Sequence, residues 1–310
     1  MRRIVQERTG GPEVLVVAEA PLPEPAAGEV QIRVRAAGVN PVDAAVRAGA
    51  FPLLGEPPFT VGWDVAGDVT AIGPGVTDFA VGDAVFGMPR FPAEAAAYAE
   101  ILVAPAAEIA AMPAALDFEA AGALPLAGLT AWLALVDTAD VTAGQRVLIH
   151  AGAGGVGHLA VQIAKARGAH VTATASAGKL DMVRALGADE VIDYRAEDVT
   201  RRGPAFDMVL DPIGGDHAER SVAVLKPGGA LVCLLDPSAA AKAAADRAGV
   251  TLSRIIVRPD AAGLRGLAAL AEAGQLAVHV ARVFPLAEAG QAQAFLGTHP
   301  AGKVVLNPQI

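Results

Sequence analysis

The run Gly152-Ala153-Gly154-Gly155-Val156-Gly157 spaces three glycines as G-x-G-x-x-G, and Ser176 and Lys179 follow some twenty residues later. Glycines at that spacing let a pyrophosphate approach the backbone N–H groups of a helix N-terminus, where any Cβ would hold it off. The chain contains 34 glycines, so the letters alone prove little and their placement decides. Here the run follows the apolar strand RVLIH (146–150) and opens the helix VGHLAVQIAKARG. On that helix Val156, Leu159, Ala160, Ile163 and Ala164 share one face. Strand, glycine turn and helix together read as the start of a dinucleotide-binding βαβ unit, the alternative being a tight structural turn. Gly152, Gly155 and Val156 are counted with the cradle.

A site built for an unphosphorylated ribose ends its second strand in Asp or Glu, which accepts from the ribose hydroxyls. The strand HVTATAS (170–176) ends instead in Ser176, with Lys179 just beyond. A carboxylate would repel a 2′-phosphate, whereas a hydroxyl can donate to it and an ammonium can neutralise it. NADPH is therefore expected over NADH. Lys179 could also be a solvated lysine at a helix start, but the chain has only five lysines and this one falls where the phosphate belongs. Asp181, two positions further, reads as a first-turn surface residue.

These residues need a scaffold. From Pro12 to Pro113 the chain reads as short strands such as EVQIRVRAAGV and PFTVGWDVAGDV, punctuated by the turns IGPG and FAVGD. From Ala114 the texture changes to helical stretches alternating with brief apolar runs. These runs are EVIDY (190–194), FDMVLDPI (206–213), ALVCLLD (230–236) and TLSRIIV (251–257). That alternation predicts an α/β fold with a doubly wound parallel sheet, a Rossmann domain over 114–258. The tail from Val278 reads strand, helix, strand and is expected to close back onto the first half. Residues 1–113 and 259–310 then form a mostly β domain. No internal repeat is present, and AAAKAAADRAG reads as a surface helix.

Composition removes several classes of function. The chain of 310 residues is 53% hydrophobic and 18% charged, with a net charge of -9. No stretch interleaves Lys or Arg with aromatics, so nucleic acid is not expected as a partner. No uncharged apolar run reaches the ~18 residues of a membrane span. Glu7 and Glu13 interrupt any signal-peptide core at the start, so a cytoplasmic protein is expected. The single cysteine, Cys233, sits in an apolar strand and reads as a core residue. Six histidines show no His-x-x-x-His or His-Glu-x-x-His spacing, and no metal site is expected. No G-x-S-x-G elbow points to a hydrolase.

Taken together, AAGVNPVDAAVRAG, FTVGWDVAGDVTAIGPGV, GALPLAGLTAW, VLIHAGAGGVGHLAVQIAK, LGADEVIDYR and AGKVVL resemble the zinc-free branch of the medium-chain dehydrogenase/reductases. Within that branch the chain is similar to quinone oxidoreductases of the zeta-crystallin type and to enone or alkenal reductases. The resemblance implies a GroES-like catalytic domain built from both chain ends, with the Rossmann domain inserted. It places Ala151, Gly154 and Gly157 in the glycine motif, and Ser176, Lys179 and Tyr194 around the adenosine 2′-phosphate. It places Asn40, Thr130 and Lys303 near the nicotinamide end, and Gly214 in the loop after the fourth strand. Read as residues alone, Asn40 could instead hold the turn before Pro41, and Tyr194 could cap a strand. Zinc-containing relatives have a Cys near Asn40 and Gly-His-Glu where this chain has Gly62-Trp63-Asp64. Some quinone reductases carry a Tyr where Ala44 and Ala45 stand here.

The expected chemistry is hydride transfer from NADPH, without a metal, to a quinone or an α,β-unsaturated carbonyl. Such an acceptor delocalises the developing charge, so no Lewis acid is required. The partner is a small, hydrophobic, electron-poor molecule that Asn40 orients, either directly or through the cofactor. Tyr98 is a candidate proton donor or a packing residue, and His150 reads as structural. Two alternatives stay open: an enoyl-thioester reductase, and a non-catalytic NADPH-binding sensor or structural protein. An exposed edge at TLSRIIV, flanked by Arg254 and Arg258, predicts a homodimer.

Overall fold

The chain opens with two short antiparallel strands, β1 (Arg2–Val5) and β2 (Val16–Glu19), and then enters its longest strand, β3 (Glu29–Val39). In β3 Val30, Ile32 and Val34 are buried while Gln31, Arg33 and Arg35 are not, the period of a half-covered strand. From Ala36 onward β3 is buried on both faces. Helix α1 (Pro41–Arg47) follows, then strands β4 (Val65–Ile72), β5 (Ala84–Gly87), β6 (Ile101–Pro105) and β7 (Ile109–Ala111). All pair antiparallel: one edge of β3 takes β4, the other takes β6, and β5 joins β4 to β7. Two helices come next, α2 (Phe118–Ala123) and α3 (Pro125–Trp132). Small residues bring α2 close to β3: a Cβ on Gly122 would meet that of Ala36 at 2.7 Å.

The middle of the chain is the parallel sheet that the sequence predicts. Its elements are β8 (Arg146–Ile149), α4 (Gly157–Ala166), β9 (His170–Ala175), α5 (Leu180–Ala185) and β10 (Glu190–Asp193). They continue through β11 (Phe206–Asp211), α6 (Asp216–Val222), β12 (Leu225–Cys233), α7 (Ala239–Ala248) and β13 (Thr251–Arg254). Every pair is parallel, in the order β10-β9-β8-β11-β12-β13. That is the doubly wound Rossmann order, with its switch point between β8 and β11. The strand expected at 230–236 instead begins at Leu225 and ends at Cys233. The strand expected at 251–257 stops at Arg254, leaving Ile256 exposed.

The tail supplies α8 (Ala261–Glu272), β14 (Val280–Pro285), α9 (Ala289–Leu296) and β15 (Lys303–Asn307). β15 pairs antiparallel with the end of β3 and parallel with β14, so the tail does close onto the first half. This computed structural model describes all 310 residues, which divide into two units. One holds Met1–Leu129, Arg258–Gly274 and Val278–Ile310; the other holds Thr130–Val257 and Gln275–Ala277. The first break falls at Leu129 rather than after Pro113, because α2 covers β3 although its sequence already reads as helix. No helix is long and apolar enough to cross a membrane.

Candidate functional site

In the parallel-sheet unit, β8 runs into a turn that starts with Ala151 at φ +50, a left-handed conformation uncommon outside glycine. Gly152 N–H donates to the Thr174 carbonyl at 2.8 Å, and Gly154 N–H to the Ala151 carbonyl at 2.8 Å. A Cβ on Gly152 would meet that of Ala173 at 2.8 Å, and one on Gly157 would run into the Ala151 carbonyl. These glycines therefore let the turn, β9 and the start of α4 close on one another. No acceptor of the protein takes the N–H groups of Gly155, Val156 and Gly157, which are the open donors of a helix N-terminus. The residues fit a pyrophosphate. Of the predicted apolar face Leu159, Ala160, Ile163 and Ala164 are buried and Val156 is half-buried; His158, Val161 and Gln162 are buried too, so α4 is covered well beyond one face.

The adenosine-side candidates gather at one corner of the sheet. Asp193 is the register partner of Ala175, and Tyr194 N–H donates to the Ala175 carbonyl at 3.3 Å. Ser176 and Tyr194 therefore leave adjacent parallel strands side by side. Ser176 opens a short 3-10 turn to Lys179, whose N–H donates to the Ser176 carbonyl at 2.8 Å. Tyr194 is 53% exposed, with the Arg195 guanidinium 5.6 Å from its ring centroid. Asp181 is solvent-exposed and paired with Arg184 at 2.6 Å, the surface role expected of it. A hydroxyl thus stands at the end of β9, where a site for an unphosphorylated ribose would have a carboxylate.

At the switch point the ends of β8 and β11 carry His150 and Asp211. The buried His150 ring lies 3.1 Å from Ser221 Oγ and 3.3 Å from Thr174 Oγ1. Burial pushes its pKa down to about 4, so the ring is neutral at physiological pH and acts as a spacer, in line with the structural reading. Asp211 Oδ1 accepts from Ile213 N–H at 2.8 Å and Gly214 N–H at 3.1 Å, which folds the loop that places Gly214 at φ +75. Thr130 is buried on α3.

In the other unit the pairing of β15 with β3 matches Val304 with Val39, so the next step of the register sets Lys303 against Asn40. The Lys303 ammonium donates to Asn40 Oδ1 and, at 3.4 Å, to Asp64 Oδ2. Asn40 Nδ2 donates to the same Asp64 oxygen at 2.8 Å, and Asp64 Oδ1 accepts from Leu126 N–H at 2.6 Å. Asp43 Oδ2 accepts from Asn40 N–H and from the Tyr98 hydroxyl, each at 2.8 Å. All five side chains are buried. Burial pushes Asp43 up to about 7, and it raises Asp64 against the pull of Lys303. Burial also lifts Tyr98 well above its ordinary range.

Asn40 opens α1, as the turn-holding reading has it, and its side chain also belongs to this network. Tyr98 is committed to Asp43, and Gly62, at φ +100, leaves room for its ring, since a Cβ there would run into it. Tyr98 is therefore a buried, hydrogen-bonded residue of the interior. The sequence gives neither Asp43 nor Asp64 a role, and Asp64 figures there only as the acid of Gly62-Trp63-Asp64. An acid three residues into a helix that begins Asn-Pro signals the first, and an acid inside TVGWDVAG signals the second. Trp63, where zinc-containing relatives place His, donates to the Ala93 carbonyl at 2.7 Å. No group of three His, Cys, Asp or Glu side chains is placed to hold a metal ion.

Residues 26–114 match the alcohol dehydrogenase GroES-like domain family, and residues 186–306 match the family described as zinc-binding dehydrogenase. The chain is 36% identical to a 2-haloacrylate reductase of Burkholderia sp, covering 98% of both proteins. It is 36% identical to the chloroplastic NADPH-dependent alkenal/one oxidoreductase of Arabidopsis thaliana, over 99% of this chain and 80% of that one. The solved structure of Escherichia coli quinone oxidoreductase complexed with NADPH superposes with a TM-score of 0.90 at 31% identity, covering 99% and 100% of the two chains. A polyketide synthase, GfsB of Streptomyces halstedii, is 43% identical over 217 residues, but the match spans only 4% of its length. The chain belongs to the medium-chain dehydrogenase/reductase family, in its quinone oxidoreductase and enone reductase group. It is an oxidoreductase that uses a nicotinamide dinucleotide.

Proposed function

We propose that this protein is an NADPH-dependent reductase of quinones or α,β-unsaturated carbonyls that works without a metal. The observation that carries the coenzyme choice is the corner where Ser176, Lys179 and Tyr194 gather with a hydroxyl in place of a carboxylate. Ala151, Gly152, Gly154, Gly155, Val156 and Gly157 hold the pyrophosphate, with Gly214 in the loop after β11. Asn40, Thr130 and Lys303 serve the nicotinamide end. When bound, NADPH supplies the hydride. The chain's own part is to orient: Asn40 and Lys303 each keep an N–H that no protein acceptor takes, available to a carboxamide or to an acceptor oxygen that gains charge.

A small, hydrophobic, electron-poor acceptor suits this arrangement because conjugation spreads the charge that a metal would otherwise stabilise. A likeness to the solved structure of CurK enoyl reductase, with a TM-score of 0.88 at 28% identity, favours a second reading, an enoyl thioester as acceptor. Stopped-flow absorbance of NADPH mixed with quinones, enones and an enoyl thioester separates the two, with NADH run in parallel. Oxidation of bound NADPH by a quinone or enone is the expected result. Tight binding with no oxidation by any acceptor would instead make the protein a sensor. Strand β13 lies at the sheet edge, paired only with β12, and we propose that a twofold partner covers it. A sedimentation mass of one chain would refute the dimer.

A further inference from the structure

We propose that Asp64 is the positioning residue of the reductase: it fixes which end of the Asn40 carboxamide faces the reacting groups and supplies the counter-charge of Lys303. The inference rests on the reading above, in which Asn40 and Lys303 serve the nicotinamide end.

Every lone-pair position of Asp64 that the protein uses has a defined donor. Oδ1 takes Leu126 N–H at 2.6 Å; Oδ2 takes Asn40 Nδ2 at 2.8 Å and the Lys303 ammonium at 3.4 Å. A carboxylate accepts only, so the amide nitrogen of Asn40 must face it and the amide oxygen must face Lys303, where it accepts. The amide is thereby specified from both ends. A carboxamide at position 64 would remove that discrimination, because it offers a donor as readily as an acceptor.

Charge gives the second half of the argument. Lys303 is 3% exposed and Asp64 fully buried, so each ion depends on the other for compensation. Of the three ammonium protons two are spent on Asn40 and Asp64, and Asn40 spends one of two amide protons. The unspent pair forms a donor set whose direction follows from the bonds already made. Leu126 lies in the first turn of α3, so the carboxylate also caps that helix and is itself held in place.

The test compares Asp64→Asn with the exchange variant Asn40→Asp/Asp64→Asn, which restores one carboxylate, one amide and one ammonium. Asp64→Asn is expected to lower kcat for a quinone or enone by about 10- to 100-fold, as small misplacements of reacting groups do, while KM for NADPH changes little. The exchange variant should recover much of the loss. Unchanged kcat in Asp64→Asn, or an exchange variant no better than Asn40→Asp alone, overturns the proposal. If Asp64→Asn does not fold, the comparison of the exchange variant with Asn40→Asp decides. If no quinone, enone or enoyl thioester oxidises NADPH bound to the parent protein, the proposed function fails, and the positioning role is then read by titration. In that titration Asp64→Asn should leave NADPH affinity near the parent's but shift the fluorescence of the bound nicotinamide; an emission identical to the parent's refutes the role.

Discussion

The Tyr98 hydroxyl donates to the Asp43 carboxylate across 2.8 Å, and neither side chain meets solvent. This bond joins the first turn of α1 to the segment before β6. It also leaves Asp43 Oδ1 buried without a partner. The carboxyl is therefore easier to keep protonated in the folded chain than in the unfolded one.

A pH dependence of stability follows. Asp43 rises from an ordinary 3.8 to about 7 on folding, so the native state holds the extra proton between those values. Its contribution to stability is present below about 4 and is lost as pH rises to about 7. Asp43→Asn keeps an oxygen for Asn40 N–H and Tyr98 and has no charge to bury. Relative to the parent, its melting temperature should be higher at pH 8 than at pH 5. A constant difference between the two pH values would contradict the assignment.

The glycine turn gives a sharper contrast. In Gly157→Ala the new methyl meets the Ala151 carbonyl, which belongs to the backbone and has little room to yield. NADPH affinity should fall by at least about a hundredfold as the open N–H groups are displaced. Gly178, between Ser176 and Lys179, has nothing within 4 Å of a built Cβ. Gly178→Ala should bind NADPH as the parent does. Fluorescence titration of the two variants checks both expectations, and equal affinities would remove the cradle.

Coenzyme preference should move with single charges. Loss of a charge-assisted contact to a phosphate costs about 1.5–3 kcal/mol, or roughly 10- to 100-fold. Lys179→Ala should lower kcat/KM for NADPH by that order and leave NADH almost unchanged. Ser176→Asp should reverse the preference. If both variants kept the parent ratio of NADPH to NADH, the 2′-phosphate would have to be bound elsewhere.

Cys233 is buried at the end of β12, and burial pushes its thiol up to about 12. Thiolate is the reactive form, so a disulfide-exchange dye at pH 8 should leave the native protein unlabelled and add one equivalent in urea. Rapid labelling of the folded chain would show that the strand opens.

The glycine turn, the order of strands and helices in the parallel sheet, and the hydroxyl at Ser176 are legible in the chain because each depends on neighbours in sequence. A strand, a turn that needs missing Cβ atoms and a helix fall within some twenty residues. The return of the tail to the first half is also legible, from its strand-helix-strand pattern. The network of Asn40, Asp64 and Lys303 is different, for Lys303 and Asn40 lie 263 positions apart and meet only through the register of β15 on β3. Burial turned Asp43 and Asp64 from ordinary acids into the electrostatic centre of that unit, and burial is a property of packing. The same holds for α2, whose composition reads as the start of the parallel domain but whose small residues seat it on β3. Local geometry was set by the residue types themselves; long-range pairing and desolvation were decided only once the sheets had closed.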